Sequence, residues 1–290
     1  MSVSFAKYYD CVIPWEKRLK RELPLLEGIS RAAGRKVLIP ACGTGRHVVA
    51  LAERGYDVLG FDIDEDALVL ARAQLAATEG AIAAVSGKAA LRSLDMAAAG
   101  TLDQAFDVAF ILGNALPGIS APGALHAALG GVAGALRPGG VLLTQNLNYD
   151  LRWREKTQFF PVLAGQTEDE DVLLVKFADY GANVINFHGM YLARPRTGGA
   201  WQSYTRSSRQ VPLFRDRLAE ILRAAGFADF EFWGDYGRAP FDPHQSNDLI
   251  VLAKKKQSPG LQPGSLCSEQ GRTSPSTMRC HGKDSDPDSA

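Results

Sequence analysis

The sequence lacks the features that mark several large protein classes. Its four cysteines are far apart and form no C-x-x-C pair, which predicts neither a zinc site nor a disulfide framework. Neither sign of charge is in excess, because 32 basic residues stand against 32 acidic ones, and this argues against nucleic-acid binding. No run approaches the ~18 apolar residues of a membrane span, and the amino terminus has no signal-peptide pattern. We therefore expect a cytoplasmic protein without a membrane or nucleic-acid partner.

The chain does contain enough apolar residues, 46% of 290, for a full core. Through residue 146 short apolar runs alternate with helical patterns, which predicts parallel βαβ connectivity. The predicted strands lie at 37–39, 56–62, 105–112 and 141–146, and the predicted helices at 47–54, 65–77 and 121–136. The Ala-rich stretch 79–93 is ambiguous between helix, loop and a short strand near 90–94.

The pattern changes after residue 146. Three β-rich runs parted by turns predict antiparallel hairpins inserted at about 147–211. The runs lie at 171–178, 183–194 and 201–211, and a helix at 212–225 and strands at 227–233 and 248–253 follow them. The predicted organisation is an aromatic arm with a helix over 15–33 (1–34), the α/β domain with its insertion (35–256), and a disordered tail rich in Ser, Pro, Gly and Asp (257–290).

Three groups of residues follow successive strands, at the edge where an open α/β sheet binds ligands. The first is the turn Gly43-Thr44-Gly45, where a ligand can approach bare backbone. The second is Asp62, whose carboxylate suits the two hydroxyls of a ribose, with Ile63 beside an adenine face. The third is Asp95-Met96, a carboxylate for the adenine amino group and a thioether to pack on the ring. Together they predict a site for a nucleoside with a free ribose.

Two cofactors fit this outline, NAD and S-adenosylmethionine. The dinucleotide fingerprint G-x-G-x-x-G needs a third glycine, and Val48 stands at that position. A large side chain there hinders the close contact of helix and strand and the approach of a pyrophosphate. The sequence therefore disfavours NAD.

Six segments of the sequence, taken together with their order and spacing, carry a resemblance to a known family. They are VLIPACGTGRH (37–47), GYDVLGFDIDEDAL (55–68), SLDM (93–96), FDVAFILGNAL (106–116), LRPGGVLL (136–143) and AAGFADFEFWGDYG (224–237). In these segments the chain resembles the class I S-adenosylmethionine-dependent methyltransferases over roughly residues 5–256. The resemblance implies an α/β fold, a Rossmann-like doubly wound sheet of seven strands in the order 3-2-1-4-5-7-6, with the last strand antiparallel and a β-rich insertion.

The resemblance also implies how S-adenosylmethionine would be held. The glycine turn with Ala41 and Cys42 would hold the methionine part, Asp62 the ribose, and Ile63, Asp95 and Met96 the adenine. Leu112, Gly113 and Asn114 would line the floor near the sulfonium, under a lid that includes Tyr9 and Trp15. Ile39 stands where many members carry an acid, and Ala41 replaces the first glycine of the motif. The cofactor's ammonium group would then depend on backbone carbonyls such as that of Ala41.

A closer likeness rests on LGNAL, LRPGG and NLNYD (146–150) together with the aromatic arm. In these features the chain looks like the glycine N-methyltransferases and related glycine/sarcosine enzymes. The likeness implies a small-molecule methyl acceptor with an amine nitrogen. It assigns no metal and no arginine to a substrate carboxylate.

The arm, the insertion and Asn114 are expected to build the acceptor pocket. From the insertion, Tyr180, His188, Tyr191 and Tyr204 could face an acceptor, and Arg206 and Arg209 could bind an acidic one or be solvated. His188, Tyr9 and Asn114 are the candidate catalytic residues, whereas His47 is expected to pack. Two alternatives stay open, a non-catalytic S-adenosylmethionine-binding protein of the same fold and an NAD-dependent oxidoreductase.

Overall fold

The computed structural model describes residues 4–257, so all of the predicted disordered tail after its first residue lies outside the described part. The helices are α1 (Phe5–Val12), α2 (Trp15–Ala33), α3 (Arg46–Ala52), α4 (Glu65–Ala84), α5 (Ala124–Ala135), α6 (Tyr149–Glu155) and α7 (Arg215–Ala224). The strands are β1 (Lys36–Pro40), β2 (Asp57–Asp62), β3 (Lys88–Ser93), β4 (Phe106–Ile111), β5 (Leu136–Leu147), β6 (Leu163–Gln166), β7 (Glu170–Tyr180), β8 (Ile185–Pro195), β9 (Gln202–Gln210), β10 (Phe227–Trp233) and β11 (Asp248–Lys255). Two short 3₁₀ helices, Met96–Thr101 and Leu116–Gly118, follow β3 and β4.

The main sheet has seven strands in the order β10-β11-β5-β4-β1-β2-β3. All neighbours from β5 to β3 are parallel, and β11 runs antiparallel to both β5 and β10. With β10 and β11 counted as the sixth and seventh strands, this is the predicted order 3-2-1-4-5-7-6. The prediction of a Rossmann-like doubly wound sheet is confirmed.

Side-chain alternation along β1 explains why helices cover both faces of the sheet. Leu38 is fully buried on one face among residues of α5 and α7, whereas Val37 and Ile39 are buried on the other with residues of α2 and α3. Successive side chains of a strand point to opposite faces, so a continuous apolar run is stable only in a strand covered on both sides. The apolar run at 37–39 therefore lies at the centre of the fold.

The insertion folds into a separate antiparallel sheet in the order β6-β7-β8-β9, as expected for hairpins. Two of its elements were not predicted, the short edge strand β6 and the helix α6. Asn148 caps α6, because its Oδ1 accepts the backbone N–H of Leu151 at 3.2 Å. The helix is fixed to the core by Tyr149, which is completely buried.

The observed ends of some helices and strands differ from the predicted ones where the sequence pattern was weak. The helix predicted at 65–77 continues to Ala84, since its Ala-rich end favours helix, and the ambiguous stretch then becomes β3. The segment Arg137–Gly140, expected to stop α5 before the next strand, instead forms the first part of β5, with a register shift against β4. These differences leave the ligand-binding edge of the sheet unchanged.

Helix α4 qualifies by its length of 20 residues and its composition as a possible membrane span, although the sequence analysis expected none. Alanine supplies much of its apolar character. The helix also contacts β2, β3, α1 and α3, and the Oδ1 of Asp64 caps its first turn. One such helix is weak evidence for a membrane span.

Candidate cofactor and acceptor site

The turn after β1 brings three residues with positive φ together at the carboxyl edge of the sheet, namely Ala41 (φ 52°), Gly43 (54°) and Gly45 (78°). A Cβ on Gly43 would meet no atom within 4 Å, so this position leaves open space beside the backbone. A Cβ on Gly45 would come within 2.8 Å of the Cβ of Ala71 in α4. Gly45 therefore shapes the turn by helix packing, and it does not line the cavities described below, contrary to its predicted place among the cofactor-binding residues.

Val48 occupies the position of the third glycine in the G-x-G-x-x-G fingerprint. Its side chain is fully buried, and a Cβ on Gly60 of β2 would come within 2.5 Å of its Cγ2. The small residue needed for close packing thus lies on the neighbouring strand and not on the helix. This arrangement differs from the dinucleotide fingerprint and is consistent with the sequence argument against NAD.

Ala41 holds a left-handed conformation that costs a residue with a Cβ about 1–2 kcal/mol. We expect Ala41→Gly to raise the free energy of unfolding by about 0.5–1 kcal/mol, because glycine's extra freedom in the unfolded chain offsets part of the relief. Urea denaturation measures this change. The matched control, Ala77→Gly in the exposed interior of α4, should lower stability by about 1 kcal/mol. A loss of stability in both variants would contradict the strain at Ala41.

Asp62 at the end of β2 is fixed by backbone amides of two turns. Its Oδ2 accepts the N–H of Gly43 at 2.7 Å and its Oδ1 accepts the N–H of Asp64 at 3.0 Å. A carboxylate offers about four acceptor positions, so each oxygen keeps capacity for a further donor. Asp62 is therefore both a support of the glycine turn and a ready acceptor for hydroxyl groups.

Two cavities meet at Ala41, Asp62 and Ala115, residues that line both. The first, of about 330 Å³, runs from the glycine turn to the arm and the insertion and is also lined by Tyr9, Trp15, Cys42, Gly43, Thr44, Leu112 and Gly113. The second, of about 650 Å³, is lined by Ile63, Asp95 and Met96 and by the segment after β4. Both volumes lie within the roughly 300–1,000 Å³ typical of small-molecule sites.

Asp95 and Met96 shape the second cavity in different ways. Asp95 caps the following 3₁₀ helix, because its Oδ1 accepts the N–H of Ala97 at 2.7 Å, while Met96 is buried beside it. Ile63 stands at the cavity wall with 72% of its surface exposed. A large aliphatic side chain left open at a cavity wall provides an apolar surface for a flat ring.

The floor of the first cavity is a strained turn after β4. Gly113 and Asn114 both have positive φ, 70° and 61°, and Gln145 holds them, with its Oε1 accepting the N–H of Gly113 at 2.8 Å. The Asn114 side chain turns away from the cavity, since its Oδ1 accepts the N–H of Leu147 and its Nδ2 donates to the Tyr149 hydroxyl at 2.9 Å. Asn114 therefore supports the floor, and its predicted roles as a cofactor ligand and catalytic residue are corrected.

The amino-terminal arm closes the first cavity from above. Asp10 accepts from the hydroxyl of Thr44 at 2.6 Å and forms an ion pair with Arg46, which ties α1 to the glycine turn. The Tyr8 hydroxyl donates to Glu170 of the insertion at 2.9 Å. Tyr9 lines the cavity between these two attachments, and Trp15 donates its indole N–H to the carbonyl of Asp10. The structure thus places both arm residues where the sequence predicted them.

A buried ion cluster lies beside the same cavity. Glu22 of α2 is 1% exposed and contacts Arg18 (3.0 Å), Arg21 (3.0 Å) and the Nε2 of His47 (2.7 Å). Arg18 and His47 also line the cavity, and a Cβ on Gly113 would come within 3.4 Å of the Arg18 guanidinium. Arg18 was not among the predicted site residues, although its i, i+4 spacing from Glu22 indicates that the two side chains lie on the same side of the helix.

Burial sets the protonation of this cluster. Burial lowers the pKa of His47, so the ring is neutral at pH 7 and donates its Nε2 proton to Glu22. Burial alone would raise the pKa of Glu22, but the hydrogen bond from His47 and the charge of Arg18 hold that pKa at about 2. The cluster is thus one anion between two guanidinium groups and a neutral imidazole.

The free energy of unfolding should fall as the pH drops below about 6.5. In that range the unfolded chain binds a proton at His47, whereas the folded protein binds it only below the lowered pKa, so acid favours unfolding. The stability contributed by Glu22 is lost later, as the pH falls from its ordinary value of 4.5 toward about 2. Urea denaturation at pH 7.5 and 5.5 tests this, and His47→Gln should flatten the dependence. An equal slope in that variant would contradict it.

His188 lies away from the cavity, on the other side of the insertion sheet. Its ring stacks on Phe177 with centroids 4.8 Å apart, and its nitrogens contact Asp179 (3.1 Å) and Ser207 (2.7 Å). Its predicted role as a base is therefore wrong. Tyr191 and Arg206, by contrast, line the cavity as two of the insertion candidates, and Arg206 pairs weakly with Asp64 at 3.5 Å.

The remaining insertion candidates do not line either cavity. The Tyr204 ring lies against Tyr8, with centroids 6.2 Å apart. The Tyr180 hydroxyl donates to the carbonyl of Thr157 at 3.1 Å, and Arg209 is exposed. They contribute to packing or to the surface of the insertion.

Comparison with known proteins agrees with this geometry. A family profile described as "Methyltransferase domain" matches residues 37–140, which span the strands that carry the glycine turn, Asp62, Asp95 and the floor. This part is about a third of the chain, and it is similar to a methyltransferase domain; the fold is the Rossmann-like methyltransferase fold.

One sequence relative and two solved structures are similar to this chain over more than four-fifths of its length. The putative methyltransferase YqeM of Bacillus subtilis is 24% identical over 263 residues, which cover 88% of this chain and 97% of YqeM. DesVI of Streptomyces venezuelae superposes with a TM-score of 0.67 at 18% identity, covering 88% and 100% of the two chains. An S-adenosylmethionine-dependent methyltransferase of Clostridium acetobutylicum gives 0.66 at 13% identity, covering 84% and 93%.

Proposed function

We propose that this protein is an S-adenosylmethionine-dependent methyltransferase that transfers the methyl group to an amine nitrogen of a small-molecule acceptor, in the manner of glycine or sarcosine methylation. The observation that carries the proposal is the make-up of the first cavity. Among the described residues that line it, none is arranged as a strong base. His47 is committed to Glu22, and burial raises the pKa of Tyr191 to about 12, so its phenol stays protonated. A neutral amine needs no base to attack, whereas a hydroxyl acceptor often does.

The residues of the two cavities fit the cofactor. The open space beside Gly43 admits a ligand against bare backbone, and Asp62 stands at the junction where a ribose would lie. The second cavity would take the adenine between Ile63 and Met96. In the first cavity Arg18 would hold the carboxylate of the methionine part. S-Adenosylmethionine supplies an electrophilic methyl carbon on a sulfonium leaving group.

The protein's own contribution is orientation and exclusion of water. The arm and the insertion enclose the acceptor side through Tyr9 and Tyr191, and the strained turn at Gly113 fixes the floor. Holding two reactants in near-attack geometry can supply roughly 7–11 kcal/mol of a barrier. The proton of a methylated amine can leave to solvent after transfer, so no residue needs to hold it during attack.

Two structural neighbours support a nitrogen acceptor. KedS8 of Streptoalloteichus is described as a sugar N-methyltransferase, and MtfA as a glycopeptide N-methyltransferase. At 19% and 16% identity these likenesses concern the fold, so they favour nitrogen without naming the acceptor.

Tritium transfer from methyl-labelled S-adenosylmethionine tests the proposal. The purified protein is incubated with a panel of small amines and a matched panel of phenols and alcohols, and labelled products are separated by chromatography. We expect label in amines, with equimolar S-adenosylhomocysteine. Label only in hydroxyl compounds would overturn nitrogen methylation. Cofactor binding without transfer to any panel would favour the non-catalytic alternative, which Ile39 in place of the usual acid suggests.

A further inference from the structure

The sheet of the insertion has one face that the rest of the described chain covers and one that it does not. Helix α1 packs on the covered face, where Tyr8 and Val12 form a hydrophobic cluster with buried residues of β7 and β8. These include Val172, Leu174 and Tyr191. Successive side chains of a strand point to opposite faces, so the residues between them project to the other side of the sheet. We call that side the outer face.

The outer face carries large apolar side chains that stay partly or largely exposed. They are Leu173, Val175 and Phe177 of β7, Met190 and Leu192 of β8, and Phe159, which pairs opposite Phe177. None of the hydrophobic clusters within residues 4–257 includes any of them. The Phe159 ring lies 6.4 Å from that of Phe177 and is 73% exposed. A contiguous exposed apolar patch of this kind marks an interaction surface.

The area of the outer face is sufficient for a stable interface. The strands β6 to β9 have 4, 11, 11 and 9 residues. At about 3.3 Å per residue and about 4.8 Å between strands, they cover roughly 550 Å². Two such faces packed together would bury about 1,100 Å², which exceeds the ~1,000 Å² expected of a specific interface. Phe159 and the exposed Trp201, at the margins of the sheet, add to this area.

The charges of the outer face are separated by strand. On β7 they are acidic, Asp171 and Asp179, whereas on β8 and β9 they are the basic Arg194 and Arg209. A twofold axis that runs along the strands between β7 and β8 places β7 of one copy over β8 of the other. Asp171 then faces Arg194 of the partner subunit, and the apolar middle of β7 faces the apolar middle of β8. The outer face is therefore complementary to itself, as an isologous dimer interface requires.

We propose that the outer face of the insertion sheet binds a second copy of this chain, so that the protein is a twofold-symmetric dimer. Aligned packing of the two sheets, as in a β-sandwich, buries the apolar side chains between them. The covered face of the same strands carries Tyr191, which lines the first cavity. The dimer thus supports the wall of that cavity from behind and leaves the cavity itself uncovered.

Sedimentation velocity of the full chain tests the proposal directly. Over the micromolar concentration range we expect a species of twice the monomer mass. A monomer throughout that range would overturn the proposal. The measurement does not depend on cofactor binding or on turnover, so its outcome is separate from that of the proposed function.

An acid placed in the middle of the outer face locates the interface. Each dimer of Val175→Asp would bury two aspartates, so we expect its dissociation constant to rise at least about 100-fold. The matched control is Val69→Asp, because Val69 is 60% exposed on α4, away from the insertion sheet, and its replacement should leave the dimer intact. A thermal melt shows whether each variant is folded. A folded Val175→Asp that dimerises as the wild type does would overturn the proposal.

A milder variant serves if Val175→Asp does not fold. Met190→Gln combined with Leu192→Gln keeps side chains of similar length on β8 and adds no charge, and it should also weaken the dimer. Wild-type affinity in this folded double variant would overturn the proposal.

Hydroxyl-radical footprinting locates the interface without any substitution. We expect Met190 and Phe159 of the wild type to be oxidised more slowly at high than at low micromolar concentration. Tyr9, which lines the first cavity, is 38% exposed and should react at the same rate at both. A dimer that forms without protecting Met190 would use another surface, and that result would overturn the proposal.

Discussion

Asp62→Ala is expected to weaken binding of S-adenosylhomocysteine by about 10- to 100-fold, which corresponds to roughly 1–3 kcal/mol. The carboxylate stands where the two cavities meet and already accepts the N–H groups of Gly43 and Asp64. The variant removes the acceptor for ribose hydroxyls and also releases the glycine turn. Isothermal titration calorimetry measures the affinity, and a thermal melt shows whether the variant is folded.

The control for this variant is Asp66→Ala. Asp66 is exposed in the first turn of α4, four residues beyond Asp62. Replacing it by alanine therefore removes the same charge from the same region of the surface. Its affinity for S-adenosylhomocysteine should stay within about twofold of the wild type, a change at the scale of a screened surface charge. An unchanged affinity in Asp62→Ala would remove Asp62 from the cofactor site.

Glu22→Gln is expected to lower the free energy of unfolding by about 3–5 kcal/mol, the usual cost of removing one partner from a buried ion pair. The glutamate is 1% exposed and is the anion shared by Arg18, Arg21 and His47. Without it, the Arg18 guanidinium, whose side chain is 17% exposed, stays largely buried without a counter-charge. Urea denaturation at pH 7.5 measures the loss.

Glu16→Gln on the same helix is the matched control, because Glu16 is exposed and its removal should change stability by less than about 0.5 kcal/mol. Glu22→Gln should also weaken cofactor binding, since Arg18 lines the first cavity and is oriented by Glu22. A stability loss no larger than that of Glu16→Gln would show that the cluster is not an ion pair network in solution.

The cofactor half of the site could be predicted from the sequence because its parts are local. Each part follows a strand directly, so strand ends at 40, 62, 93 and 111 bring the parts to one edge without further information. Gly45 is an exception, because it belongs to the glycine motif but lines neither cavity. A glycine in the motif can serve helix packing, and only the position of Ala71 reveals which role it has.

The acceptor half could not be predicted in the same way, because its contacts join distant parts of the chain. The direction of the Asn114 side chain depends on Tyr149 and on Gln210, which is 96 residues away. His47 contacts Glu22 across 25 residues and two helices.

One error was avoidable. His188 and Tyr191 were both candidates to face the acceptor, but they are three positions apart on one strand and so face opposite sides of the sheet. Strand alternation places only one of them in the cavity, and the structure shows that it is Tyr191.

The most direct test of the account is a calorimetric titration of the wild-type protein with S-adenosylhomocysteine, with NAD in a parallel titration. The central claim is that two cavities joined at Asp62 form one site for a nucleoside with a methionine tail. The account predicts saturable one-to-one binding of S-adenosylhomocysteine, competition by adenosine, and no binding of NAD. Absence of S-adenosylhomocysteine binding even at millimolar ligand would contradict it.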